Sequence, residues 1–600
     1  MVATVRFGLL AAAAFAVVHL DASAGKPFQT KLNREQQALH VVERLTFGAR
    51  AGDVEHVRKI GIEKWIDEQL HPERIPENPA LTAKLAELKS IHMPAPELFR
   101  AYPPPQVIRQ MANGNLPDDP ILRHVVEQAA LRSKSKENPE EKASAPQPPP
   151  EEVRKRLLEV LTPAELRTLR AGTPQQKREF LAALADDKAD RLLLAMPAPM
   201  RRGLTPVAPT AMRRKIIRLN NPQQVIAFDL NEAKLQRAIY SNHQLEELLV
   251  DFWYNHFNVF FDKGADRHLV PSYEREAIRP HVLGKFKDLL TATAHHPAML
   301  FYLDNWQSVA PGANRRVKTR GLNENYAREL MELHTLGVDG GYTQKDVTEV
   351  ARCLTGWTIR DPRRRAEFFY NDRVHDKGEK TVLGVTIPAG GGQTDGDKVL
   401  DLVAHHPSTA KFISRKLAMR FVADDPPQEL IDRMSKTFRD TDGDIRAVLR
   451  TMFLSREFLS AGAYRAKVKT PFEMVASAAR AVNADVDFAG VLAQQLAQLG
   501  QPLYRKVEPT GYPAANSEWV NSAALLGRMN FGLSLAQNKF PGAKAAIPAE
   551  ATQAELEASI VPSGLSAATR ESIGKALLQG DPKPELVAGL LLGSPEFQRR

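Results

Sequence analysis

Residues 321–338 hold the densest set of side chains in this sequence that could move protons or hold a charged ligand. They read Gly-Leu-Asn-Glu-Asn-Tyr-Ala-Arg-Glu-Leu-Met-Glu-Leu-His-Thr-Leu-Gly-Val. Asn323 can cap a helix, because its side chain can accept backbone N–H groups of the first turn, and Gly337 can end that helix in a left-handed turn. We call the segment between them, residues 324–336, the signature helix.

The signature helix is predicted to be polar on one side and apolar on the other, because successive helical residues turn by about 100°. The apolar side holds Tyr326, Ala327, Leu330, Met331 and Leu333, with His334 among them, and the polar side holds Glu324, Asn325, Arg328, Glu329 and Glu332. Two interpretations stay open. Glu324, Arg328 and Glu332 can pair in series on a solvated face, at about 0.3 to 0.5 kcal/mol per pair. The same side chains can instead form a buried network or the wall of a pocket.

Hydrolysis by paired carboxylates is one chemistry that these residue types indicate. Asp304, Glu324 and Glu329 could converge as general acid and base, with Arg328 beside them. A serine nucleophile is not indicated, because no G-x-S-x-G string occurs.

A divalent metal site is the second chemistry. His256 and His334 both lie on apolar helical stripes, and Glu332 could join them as a ligand, while Asp304 and Asn305 offer further oxygens. Around these residues, however, the sequence has no H-x-x-x-H, H-E-x-x-H or E-x-x-H spacing. A hydrogen-bonded core histidine is therefore the commoner explanation of each imidazole.

The elements that must position these residues are mostly helical. With 600 residues, the chain exceeds what one core usually serves. We expect a mainly α protein, a multi-helix array with a small β-hairpin and a helical insertion. Its expected parts are a helical core from 25–105, a charged, proline-rich linker and helical insertion at 106–215, a central helical core with the signature helix at 216–365, a β-hairpin and glycine loop at 366–395, and a C-terminal helical part at 396–600.

The N-terminus resembles an export signal. Arg6 supplies a positive charge, residues 7–20 are apolar, and Ala22-Ser23-Ala24 forms an A-x-A cleavage site. We therefore expect residues 1–24 to be removed from a periplasmic or secreted protein with no transmembrane segment in the mature chain. Cys353 is the only cysteine, and its apolar helical setting indicates a buried thiol.

The formal charge of +10 is mild for this length. The Arg and Lys excess gathers at 201–218, 315–320 and 360–365. Each cluster could meet an anionic envelope polymer or could be an ordinary solvated face. Nucleic acid is not indicated, because no basic run is interleaved with stacking aromatics.

Several strings resemble the bacterial family called domain of unknown function 1800. They include residues 44–48, 252–257, 296–300, 303–305, 323–333, 342–347, 354–357, 467–473 and 594–597. The resemblance covers the mature chain except for about 106–215. It implies an exported protein of unestablished activity, and it implies a partner, because the genes of such proteins often lie beside those of exported proteins that resemble phosphatases and sulfatases.

Two functions follow as expectations. The first is a non-catalytic envelope or secreted partner protein, or a ligand-binding protein. The second is a hydrolase, carboxylate-based or assisted by a divalent metal, that acts on an extracytoplasmic substrate.

Overall fold

The computed structural model describes residues 27–114, 116–137, 149–313, 321–578 and 583–600. The export signal predicted at 1–24, the basic cluster at 315–320 and residues 138–148 of the predicted linker lie outside the described residues. Within these ranges the chain is mainly α-helical, with short antiparallel strand pairs, which confirms the predicted fold class. No described helix has both the length and the apolar character that crossing a membrane requires.

The helices of the described residues fall into four groups along the chain. Before the insertion they are Arg34–Leu45, Asp53–Ile60, Ile62–Leu70, Pro79–Ala86 and Ala95–Ala101. The region predicted as linker and insertion holds Pro105–Ala112, Pro120–Glu137, Pro150–Leu158, Pro163–Ala171, Pro174–Ala182, Asp186–Ala195, Ala198–Leu204 and Thr210–Asn220. The central part holds Gln224–Tyr240, Gln244–His256, Asp266–Ser272, Phe286–His295, Pro297–Tyr302, Glu324–Glu329 and Gln344–Cys353, with π-helical turns at Tyr273–Ile278 and Leu330–Thr335. The C-terminal part holds Thr394–Ala404, Pro407–Phe421, Gln428–Asp440, Ile445–Phe453, Pro471–Ala481, Gly490–Gln498, Ser522–Ala536, Gln553–Ile560, Ala567–Leu577 and Pro584–Leu592.

Side-chain caps fix the first turn of many helices. Capping boxes form at Thr162 with Glu165 and at Thr173 with Gln176. Thr343 with Asp346 forms a third. These reciprocal bonds use backbone N–H groups that a helix start otherwise leaves without partners.

The strands form two hairpins where one was expected. Trp357–Arg360 pairs with Glu367–Tyr370, and Lys380–Val382 pairs with Val385–Ile387. A third pair joins Asp485–Val486 to Ala543–Lys544. The second hairpin closes through Leu383 and Gly384, both with positive φ, as a two-residue turn requires. Because this turn joins strands 380–382 and 385–387 directly, residues 367–370 are not part of that hairpin and pair with the preceding strand Trp357–Arg360.

The main hydrophobic core draws on helices from both sides of the insertion, from Ala38 to Tyr102 and from Val225 to Phe597. A separate apolar cluster lies within residues 121–219. Ion pairs join the two: Arg213 contacts Asp487 at 2.8 Å, and Arg214 contacts Asp229 at 2.9 Å.

Candidate functional site

The signature helix forms between its predicted caps. The side chain of Asn323 accepts the N–H of Asn325 at 2.9 Å, and Gly337 takes a φ of 83°. The first turn and a half, Glu324–Glu329, is α-helical, and Leu330–Thr335 widens into a π-helical turn. Such turns are rare and recur near functional sites.

The polar side of the signature helix packs on the neighbouring helix Gln344–Cys353. Glu324 accepts hydrogen bonds from Gln344 at 2.7 Å and from Thr348 at 2.9 Å. Arg328 donates to Gln344 at 2.7 Å, while its ion pair with Glu324 is longer, at 3.7 Å. With 37% of the Glu324 side chain and 41% of the Arg328 side chain exposed, this flank is a half-open network between helices.

The other carboxylates proposed for hydrolysis have separate surroundings. Asp304 forms an ion pair with Lys263 at 2.8 Å and is 48% exposed. Glu329 is half-buried, and burial together with the nearby Glu332 raises its pKa. Within the described residues, no hydrogen bond or ion pair joins Asp304, Glu324 and Glu329 to one another.

The two candidate metal-binding histidines do meet. His256 and His334 are buried, with ring centroids 6.2 Å apart. The Nε2–H of His256 donates to the backbone carbonyl of His334 at 3.0 Å. Burial lowers the pKa of both imidazoles, that of His334 to about 3, so both rings are neutral.

Glu332 does not complete a metal site with them. It neighbours Tyr342, whose pKa rises through burial and through the Glu332 charge. In the described part of the chain, no group of three or more His, Cys, Asp or Glu side chains is placed to hold a metal ion. The metal hypothesis gains no support from this geometry. Asn305, a further oxygen donor considered, is buried and donates its amide to the carbonyls of Leu354 and Trp357 at 3.3 and 3.1 Å.

A cavity of about 260 Å³ opens on the other side of His256. Its walls come from the end of helix Gln244–His256, the middle of helix Pro407–Phe421, the start of helix Pro471–Ala481 and the loop at 501–514. Two of the strings that carry the family resemblance, 252–257 and 467–473, line it. Segments more than two hundred residues apart therefore converge here.

Asparagine side chains hold the loop of the cavity in place. The amide of Asn255 donates to the Tyr512 carbonyl at 2.9 Å and accepts the Tyr512 N–H at 2.6 Å. Asn258 donates to the carbonyls of Lys506 and Glu508. Gly511 has a φ of 71°, and a Cβ there would lie 2.2 Å from the Asn255 carbonyl oxygen. Only glycine allows this close approach of loop to helix.

Positive charge exceeds negative charge on the cavity wall. Six basic side chains and two carboxylates line it: Lys234, Lys416, Arg420, Lys467, Lys506 and Arg600, against Asp251 and Glu473.

Five of these six basic groups are paired with acids. Lys234 pairs with Asp251 at 2.9 Å, and Lys506 pairs with Glu508 at 2.8 Å. Arg420 and Arg600 share Glu473, and Lys467 pairs with Asp424. Four carboxylates of the fold therefore pair with these five cations.

Lys416 is the exception among the described residues of the cavity. It is partly buried, no carboxylate forms an ion pair with it, and its ammonium nitrogen lies 3.0 Å from Nδ1 of His256. Since Nε2 of His256 carries the proton that bonds to His334, Nδ1 is the acceptor and Lys416 is the donor. Burial lowers the pKa of Lys416 to about 8. The cavity thus presents a cation that has no counter-charge.

His256 of this pair was predicted from the sequence, but as a metal ligand. Lys416 was not predicted. A lysine on the same helical face as Ile413 and Met419 is the available signal, and it is weak, because lysine stems commonly cover apolar surface.

The basic cluster at 201–218 is less exposed than its sequence indicates, whereas the arginines at 360–365 are exposed. Arg201, Arg213 and Arg214 in the 201–218 cluster are buried. Arg360 lies over the ring of Phe369, and Arg365 is near Asp361 at 3.6 Å. The first cluster therefore ties the insertion to the core instead of forming a surface patch. Cys353 is buried as expected, and burial raises its pKa to about 12.

Comparison with known proteins gives a family. The family described as "Protein of unknown function (DUF1800)" matches residues 40–599, so the chain belongs to that family, as its motifs predicted. A search of curated proteins and a search of solved structures find no match.

Proposed function

We propose that this protein is an exported ligand-binding protein whose cavity at Lys416 holds a small anionic molecule. The observation that carries the proposal is the Lys416 ammonium group, which faces the cavity with a neutral imidazole and no carboxylate beside it. A partly buried charge without a partner is costly, and an anionic ligand would supply the missing partner.

The surrounding charges favour the same ligand class. The six basic groups of the wall pair with four carboxylates, Asp251, Asp424, Glu473 and Glu508, so the wall keeps an excess of two positive charges. In a site screened from bulk water, such an excess attracts anions more strongly than at an open surface. The tight pairing of the other five cations keeps them in fixed positions, which preorganises the wall.

The volume limits the size of the ligand. Pockets for drug-sized molecules measure roughly 300 to 1,000 Å³. At about 260 Å³, this cavity suits a smaller molecule. Tyr254, Tyr504 and Tyr512 line it as well and offer flat surfaces against which a carbon skeleton can pack.

The hydrolase alternative has less support. Its carboxylates Asp304 and Glu324 are each engaged with other side chains at the half-open surface, and they do not share a cavity with His256. Export, the exported partner protein and the anionic envelope polymer stay predictions from the sequence.

Titration calorimetry on the full chain tests the proposal, with inorganic phosphate and malonate as probes at constant ionic strength. We expect binding that Lys416→Met weakens by about ten-fold or more, because one charge-assisted contact contributes about 1.5 kcal/mol or more. Lys411→Met is the matched control, since Lys411 is exposed on the same helix and outside the cavity. Equal binding of both anions by wild type and Lys416→Met would contradict the proposal.

The pH dependence gives a second readout. Anion binding should weaken as the pH rises through about 8, where Lys416 loses its charge. If binding stayed constant from pH 7 to pH 9, the anion would instead be held by Arg420 and Arg600, because the charge of an arginine does not change in that range.

A further inference from the structure

We propose that Lys416 captures a carbonyl group of the anionic ligand as a Schiff base, so that the substrate class of this cavity is a small aldehyde or keto acid. The anionic part of this inference rests on the proposed function, whereas the covalent part rests on Lys416 and His256 alone.

The hydrogen bond between Lys416 and His256 prepares the amine. The backbone carbonyl of His334 holds the proton of His256 on Nε2, which leaves the Nδ1 lone pair facing Lys416 at 3.0 Å. In its neutral form Lys416 can donate one N–H to this acceptor, and its own lone pair is then free. Lysines that react with carbonyls are characteristically removed from water and from counter-charges.

The other lysines of the cavity lack this arrangement. Lys234 and Lys506 donate to carboxylates at 2.9 and 2.8 Å, and Lys467 donates to Asp424 and to the carbonyl of Ala514. A carboxylate partner stabilises the ammonium form, which has no lone pair for attack. Burial without such a partner brings Lys416 close to half deprotonation near pH 8. The cavity therefore offers one amine that is both accessible and free to react.

The reaction needs no further reagent. The neutral Nζ of Lys416 attacks the carbonyl carbon, an N–C bond forms, and the π electrons of the carbonyl move to its oxygen. A proton from the nitrogen passes to that oxygen, which gives a carbinolamine. The hydroxyl group then leaves with the second N–H proton as water, and the C=N bond remains. His256 is a positioning residue in this scheme, because it aims Nζ without contacting the carbonyl.

Reductive trapping tests the inference. Glyoxylate is an anionic aldehyde, and acetaldehyde is a neutral one of similar size. The full chain would be treated with each in the presence of cyanoborohydride, and the modification of every lysine would be measured by peptide mass spectrometry. We expect glyoxylate to modify Lys416 at least about ten times faster than the exposed Lys411 at pH 7.5. Equal rates at Lys416 and Lys411 would overturn the inference.

The comparison of the two aldehydes separates this inference from the proposed function. A Lys416 adduct that forms as readily with acetaldehyde as with glyoxylate supports covalent capture and contradicts selection of anions. Phosphate binding that depends on Lys416, without any aldehyde adduct there, supports the anion site and overturns covalent capture.

The pH profile tests the role of His256. The rate at Lys416 should rise with a midpoint near pH 8, whereas exposed lysines respond near their ordinary pKa of about 10.4. His256→Phe keeps an aromatic ring among its aromatic neighbours Phe252, Trp253 and Phe257 but removes the acceptor. We expect its midpoint to fall, because a hydrogen bond to a neutral acceptor favours the ammonium form. An unchanged midpoint and rate would remove His256 from the mechanism.

Discussion

The flank of the signature helix and the wall of the cavity are both crowded with charged side chains, but among the described residues of the two only the cavity holds a cation without a carboxylate partner. On the flank, Glu324 and Arg328 are bound by Gln344 and Thr348 on the next helix and are also open to water. In the cavity, Lys416 faces a neutral histidine. The density of ionisable groups therefore indicates a functional site less well than the lack of a counter-charge at one of them.

The difference also has an energetic meaning. Half-exposed pairs such as Glu324 with Arg328 contribute at most about 1 kcal/mol and are screened by salt. A cation that is held in a cavity without a carboxylate reduces stability, and proteins retain such groups chiefly where they serve function. Four substitutions can break or sharpen this comparison.

Glu473→Gln should have the largest effect. Glu473 is buried and neutralises Arg420 and Arg600, so its loss leaves two cations on the cavity wall without a counter-charge. We expect a loss of about 3 to 5 kcal/mol in the free energy of unfolding, measured by urea denaturation. Glu555→Gln is the matched control, because Glu555 forms the same capping box with Thr552 at an exposed site without arginines. Equal losses of stability at both sites would show that the capping box, and not the pairing of Glu473 with the two arginines, accounts for the effect.

Gly511→Ala should come second. Its Cβ would approach the Asn255 carbonyl oxygen to 2.2 Å, and its φ of 71° disfavours any side chain. The loop must then move, at a cost of about 2 to 4 kcal/mol, and phosphate binding should weaken with it. Gly500 has a φ of 90° but open space around it, so Gly500→Ala should cost only about 1 kcal/mol and leave binding intact. A similar loss of binding in both variants would exclude loop position as the cause.

Lys416→Met should stabilise the protein, in the opposite direction from the first two changes. The pKa of Lys416 is lowered to about 8 in the folded state, so the folded state disfavours the charged form that the unfolded state keeps up to its ordinary pKa. The cost is fully present below pH 8 and disappears as the pH rises towards about 10.4. We expect the free energy of unfolding to rise by about 1 to 3 kcal/mol at pH 7, and this gain to disappear between pH 8 and pH 10.4. Urea denaturation at several pH values measures it.

A gain that is independent of pH would indicate better packing of methionine instead of relief from a buried charge. Lys411→Met, at the exposed position, should change stability by less than about 0.5 kcal/mol at every pH.

Glu324→Gln should have the smallest effect. Glu324 is 37% exposed, and glutamine can still accept from Gln344 and Thr348, so the free energy of unfolding should change by less than about 0.5 kcal/mol. Phosphate binding should be unchanged, since this flank does not line the cavity. If Glu324→Gln abolished binding while preserving stability, the functional site would have to be moved to the signature helix.

Several local features could be read from the sequence because neighbouring residues specify them. The cap at Asn323, the end of the signature helix at Gly337 and the inward side of His334 all follow from helical spacing and capping chemistry. The strand pairing, in contrast, could not be read locally. Residues 368–370 have a high propensity for strand, but tertiary packing decides whether they pair with the preceding segment 357–360 or with the following segment 380–387.

The sequence by itself determined the class of fold, the buried cysteine and the polar and apolar sides of the signature helix, because these depend on residues within a few positions of one another. Only the tertiary structure decided which charges are neutralised. Lys467 contacts Asp424 and Arg420 contacts Glu473, across 43 and 53 residues of sequence, while no carboxylate of the described ranges forms an ion pair with Lys416. Whether a cation has a partner is a property of distance in space, and spacing along the chain does not contain it.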